Sequence, residues 1–105
     1  RVSGVFAHHA ERLGQVLDAV ESGVPSVTTW EVATVISWSR GWDQTHGFLR
    51  RLALAETGAH LRWLARRRLV VESPGRPTSW RAVGHGDTAG RVLAAMEDTY
   101  GAPRQ

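Results

Sequence analysis

The chain has no cysteine, no lysine and no asparagine. Without cysteine there is no disulfide to report a redox compartment, and a thiolate metal centre is excluded. With no asparagine, and glutamine only at Gln15, Gln44 and Gln105, it is poor in side chains that read base edges. No apolar run approaches the roughly 20 residues of a membrane span. No charged start followed by an apolar leader opens the chain. A cytoplasmic protein with no membrane contact is therefore the default expectation. The chain opens on Arg1 without an initiating methionine, so it is expected to be a fragment of a larger protein.

What is present is a sequence of 105 residues, 42% of them hydrophobic. That length fits one domain, and that content gives a modest core. All 13 basic residues are arginine and the net charge is +3. The charge is unevenly placed. Between Arg50 and Arg81 lie eight arginines and two acids, a balance of +6. The rest holds five arginines and eight acids, a balance of −3. Such a basic block suits phosphates, nucleic acid or an acidic partner surface. It also suits a solvated helix end, where arginine complements the negative pole of the dipole.

Residues 5–22 read as a first helix, because Leu13, Val16, Leu17 and Val20 form one apolar stripe at i, i+3, i+4 and i+7. Gly23 stands where a left-handed C′ residue is wanted, and Pro25 prevents continuation. His8 and His9 point about 100° apart on this helix and do not share a metal easily. Val27 reads as a very short strand. Thr28 and Glu31 then form a capping box that opens a second helix, with Trp30, Ala33 and Val32 or Ile36 facing inward. The connection WSRGWDQTHG over 38–47 carries Trp38 and Trp42, with Asp43 as an expected N-cap. Indoles are costly to leave wet, so both tryptophans are expected to pack, on the core or against another domain.

The third helix is expected from Gln44 or Phe48 to Arg67. Phe48, Leu49, Leu52, Ala53, Leu61 and Leu64 are its core candidates. Ala55, Thr57 and Gly58 are expected to be exposed, with a kink or break near 56–58 where glycine weakens the helix. Glu56 and His60 are spaced to pair. Residues 69–71 and 80–83 read as two strands around the tip Pro74-Gly75-Arg76-Pro77. A fourth helix over 88–99 follows, capped by Asp87 or Thr88, with Val92, Leu93 and Met96 on its apolar side. The fold class expected is mainly α with a small β wing: a winged helix-turn-helix of three core helices over about 5–83, a two-stranded wing hairpin and an extra C-terminal helix. Residues 1–105 form a single domain in this reading.

No catalytic constellation is legible. There is no H-x-H-x-D-H, no H-E-x-x-H, no G-x-S-x-G and no phosphate-binding glycine loop. Gly84-His85-Gly86 alone reads as a loop histidine. The expected catalytic and metal residues are therefore none. Arg51, Arg62, Arg66, Arg67, Arg76 and Arg81 are candidates for contact with nucleic acid or another anionic substrate. Trp38, Trp42 and Phe48 are candidates for contact between domains.

HHAERLGQVLDAV, then TTWEVATVISW, then ETGAHLRWLARRRLV resemble the C-terminal winged-helix domain of metallo-β-lactamase-fold hydrolases. The matching pieces are His8 or His9 with Arg12 and Leu13, the pair Thr28 and Glu31, and Ala59, His60, Leu61 and Leu64. Arg68 stands where that family usually has glycine before the first wing strand. The resemblance covers about residues 5–83. It implies a zinc-binding catalytic domain upstream of Arg1, with zinc held there and no cofactor in this chain. It implies an accessory domain that packs on that catalytic domain and contributes to substrate binding without catalysing anything itself. The alternative is a winged-helix DNA- or RNA-binding domain such as that of a transcriptional regulator. A third reading is a dimerisation module pairing through the fourth helix.

Overall fold

The structure is a computed structural model and describes residues 2–101. Helix α1 spans Val2–Ser22 and buries Leu13, Val16, Leu17 and Val20, the stripe expected from the spacing. Gly23 is not left-handed. It is glycine because the chain doubles back there, and a Cβ would run into Val27. Strand β1, Val27–Thr28, leads directly into helix α2, Thr29–Val35. The capping box is formed. Glu31 N–H donates to Thr28 Oγ1 at 3.1 Å, and Thr28 N–H donates to Glu31 Oε1 at 2.9 Å. Val32, Ala33 and Ile36 are buried, whereas Trp30, expected to face inward, is 47% exposed. Two residues turn a helix by about 200°, so Trp30 and Val32 cannot share an inner face.

A 3-10 turn, Trp42–Gln44, precedes helix α3, Gly47–Arg66. Asp43 lies inside that turn, and the residue at the N-cap of α3 is His46 instead. Helix α3 runs without a break through Gly58. Thr57 and Gly58, expected in solvent, are buried. The Thr57 hydroxyl donates to the Ala53 carbonyl at 2.8 Å, which satisfies it inside the core. Leu61 and Leu64 are fully buried, but Phe48, Leu49 and Leu52 are 65%, 50% and 50% exposed. The core that α3 shares with α1 is built from its C-terminal half.

Helix α3 ends in a Schellman motif. Arg68 N–H donates to the Ala65 carbonyl and Leu69 N–H to the Leu64 carbonyl, each at 3.0 Å. Arg68 sits at φ +64°, the left-handed conformation that a glycine adopts freely. Strands β2, Val70–Ser73, and β3, Ser79–Ala82, pair antiparallel with Val70 opposite Ala82 and Glu72 opposite Trp80. The hairpin is joined by β1, giving one three-stranded sheet in the order β1-β3-β2. Trp80 is buried and its indole N–H donates to Thr29 Oγ1 at 2.9 Å, which ties the sheet to α2.

Helix α4, Thr88–Tyr100, is capped by Asp87, whose Oδ1 accepts from Gly90 N–H at 3.2 Å. Val92 and Met96 are buried in the same cluster as Leu13, Leu17 and Leu61, so α4 belongs to the core. Leu93, expected on the apolar side, is 41% exposed. Arg91 clamps the start of α4. It bonds Glu21 Oε2 at 3.2 Å, the Gly86 carbonyl at 3.0 Å and the Val83 carbonyl at 2.6 Å. The architecture is thus mainly helical with one small antiparallel sheet. No helix among the described residues is long and apolar enough to cross a membrane.

Candidate functional site

The N-terminal half of α3 and the connection before it form an aromatic face. Trp38 is half-buried, packs against the core, and donates its indole N–H to the Ala33 carbonyl at 2.8 Å. Trp42 lies 6.4 Å from Trp38 and meets Trp30 edge-on at 5.2 Å between ring centroids. Arginines fill the gaps. Arg50 stacks 4.2 Å from Trp42 and 5.5 Å from Trp30, and also donates to the carbonyls of Thr45 and Trp42. Arg12 stacks 4.7 Å from Trp38, bonds the Ser37 carbonyl and pairs with Glu56 at 3.6 Å. Cation–π contacts of this kind are worth about 0.5–2 kcal/mol each. They hold the three indoles in fixed positions. Beside them Trp38, Leu49 and Leu52 line an open hollow of about 350 Å³ that also takes in Arg40 and Glu56.

Of the three residues expected to contact another domain, Trp38 thus serves its own core in part. Trp42 is half-covered by the ladder, and Phe48 stands free in solvent. Sequence reasoning missed Trp30, Arg12 and Arg50 as members. Their partners are brought in from α1, α2 and α3, and no spacing in the chain announces that.

The six candidate arginines do not form one surface. Arg51, Arg62 and Arg66 are all exposed on α3. A continuous α-helix turns 100° per residue, so the 11-residue step from Arg51 to Arg62 is close to three turns. The 18-residue step from Phe48 to Arg66 is five turns. Phe48, Arg51, Arg62 and Arg66 therefore fall within a sector of about 60°, with exposed Ala55 inside it and exposed Ala59 and half-exposed Leu52 at its edge. Arg67 is turned away. Its guanidinium stacks 3.8 Å from Trp63 and donates to Thr99 Oγ1 at 2.9 Å, locking α3 to α4. Arg76 is exposed at the hairpin tip. Arg81 borders a hollow with Glu21, Pro25 and His85 near the end of α1, remote in the fold from the exposed side of α3.

A second aromatic cluster joins α1, α3 and α4. The Trp63 indole donates to the Tyr100 hydroxyl at 3.0 Å, and His9 lies 5.5 Å from His60, 6.1 Å from Trp63 and 6.5 Å from Tyr100. Burial holds the His9 pKa below its ordinary value, and the neighbouring His60 and His8 push the same way. His60 Nδ1 lies 2.7 Å from the Glu56 carbonyl, so it is this backbone oxygen, not the Glu56 carboxylate, that His60 engages. Glu21 is held below the usual carboxylate range, first by the Gly86 N–H and then by Arg91. Among the described residues no group of three or more His, Asp or Glu is placed to hold a metal. No family model, no curated protein and no solved structure matches the chain.

Proposed function

We propose that the chain is the accessory C-terminal winged-helix domain of a cytosolic metallo-β-lactamase-fold hydrolase. In this reading it packs on the zinc-binding catalytic domain and contributes to substrate binding without catalysing the reaction. The observation that carries the reading is the uncovered apolar end of α3. Leu49 and Leu52 lie half-exposed beside the fixed Trp38–Trp42–Trp30 ladder, with Phe48 at its border. Preordered indoles beside a hollow are the anatomy of a docking face, since aromatic anchors lose little entropy on contact. Two further features fit a winged helix. The elements run helix, strand, helix, helix, strand, strand, and the hairpin is completed by β1 in the order β1-β3-β2. Arg68, where the resembled family usually has glycine, takes a left-handed conformation that glycine adopts freely.

The test is the coding sequence upstream of Arg1. An H-x-H-x-D-H motif about one domain before it is the expected result. A stop codon or an unrelated domain would remove the assignment. The isolated chain is expected to purify without stoichiometric zinc and without hydrolase activity. Val92 and Met96 of α4 are buried inside the chain, so pairing through α4 would rest on the exposed Leu93 and Tyr100.

A further inference from the structure

We propose that His9 and His60 are the two protein ligands of an exchangeable site for a transition-metal dication of the zinc or nickel type. Such an ion joins α1 to α3, and the proposal does not depend on the identity of the parent enzyme. The two rings lie 5.5 Å apart between centroids, inclined at 60°. Imidazole nitrogen binds zinc at about 2.0–2.1 Å, which puts the ion about 3.2 Å from each ring centre. A tetrahedral angle at the ion then sets the two centres about 5.2 Å apart. The rings already stand within a few tenths of an ångström of that separation.

The backbone fixes which nitrogen of His60 is available. Its Nδ1 lies 2.7 Å from the Glu56 carbonyl oxygen. A carbonyl oxygen only accepts, so Nδ1 carries the hydrogen and Nε2 keeps its lone pair. A ring hydrogen donated to a backbone carbonyl is the common outer support of a metal-binding histidine. His9, packed beside Trp63 and Tyr100, is favoured in its uncharged form, the form that ligates. Both side chains stand on rigid elements. His9 is one turn before Leu13 and His60 adjoins Leu61, and both leucines are fully buried. Neither ring is fully enclosed, so water can complete the coordination.

The donor set selects among ions. Imidazole suits zinc, nickel and copper, whereas calcium and magnesium need oxygen ligands. The Glu56 carboxylate is engaged by Arg12 at 3.6 Å, and the Arg67 guanidinium is stacked on Trp63. His8 points about 100° away from His9 on α1 and does not join the pair. Two ligands hold an ion far less tightly than the three or four of a resident zinc site. The ion therefore leaves on dialysis, and the chain still purifies without stoichiometric zinc.

The experiment is titration of the dialysed 105-residue chain with zinc and, separately, magnesium. Calorimetry, the thermal midpoint and the ring resonances of the five histidines are followed. One zinc ion per chain should bind, moving the His9 and His60 resonances together and leaving those of His46 and His85 in place. Saturating zinc should raise the thermal midpoint by about 5 °C or more, and magnesium should not. His9→Gln and His60→Gln should each weaken zinc binding about tenfold or more. The double variant should bind no worse than the weaker single one, because a shared ion is lost once. His85→Gln should bind like the parent. No zinc binding at millimolar concentration would overturn the proposal. So would an equal response to magnesium, movement of one resonance of the pair without the other, or single variants that bind like the parent. The resonances belong to the parent chain, so they decide the outcome even where a glutamine variant unfolds.

Discussion

The two halves of α3 carry similar apolar content and meet opposite fates. Its C-terminal half presents Leu61, Trp63 and Leu64, all buried. Its N-terminal half presents Phe48, Leu49 and Leu52, all at least half in water. The difference lies in what is laid over each. α1 covers the C-terminal half and α4 clasps it through Trp63, Tyr100 and Arg67. In the N-terminal half Ala53 is buried and α2 packs on α3, but beside Leu49 and Leu52 the connection supplies only Trp38, Trp42 and their arginines. Apolar spacing shows that a helix has a side to bury. It does not say whether the cover belongs to the same chain.

The contrast can be broken most sharply in the covered half. Leu61→Ala leaves a cavity in a fully buried site and should destabilise by about 2–5 kcal/mol. For a domain of this size that lowers the thermal midpoint by about 10 °C or more, measured by calorimetry. Tyr100→Phe should have a smaller effect, about 1 kcal/mol, because the Trp63 indole N–H loses its acceptor. Arg68→Gly should act in the other direction. It relieves a left-handed arginine and should raise stability by about 1 kcal/mol in urea unfolding.

The His9 cluster sharpens the contrast by pH. With the folded His9 pKa below its ordinary 6.5, the unfolded chain takes up protons first as pH falls. The contribution from His9 is therefore complete above pH 6.5 and is lost as pH drops below it. His9→Gln should flatten the thermal midpoint against pH in that window. At the open half, Leu52→Ala should change the stability of the isolated chain by no more than about 0.5 kcal/mol. A large loss there would mean that the face is covered within the chain after all.

Much of the framework was legible beforehand. The stripe Leu13, Val16, Leu17 and Val20, the Thr28–Glu31 capping box, the hairpin and the Asp87 cap all follow from local chemistry. Some misses were local, as with Trp30 and Gly23, but others were decided by contacts distant in sequence. Thr57 and Gly58 look like exposed helix residues until they are packed inside, and Trp63 has no partner until Tyr100 arrives from the end of the chain. Arg67 and Arg81 belong to the same charge block as Arg62, yet stacking on Trp63 and placement near the end of α1 remove both from its surface. The alignment of Phe48 with Arg66 needed an unbroken α3, which Gly58 left open in the sequence.

Amide hydrogen exchange, compared between the 105-residue chain and a longer polypeptide that joins it to the proposed catalytic domain, addresses the open end of α3. Residues 42–53 should gain protection in the longer polypeptide, while residues 59–66 should exchange alike in both. Equal exchange at 42–53 in the two would contradict the assignment of this face to a neighbouring catalytic domain.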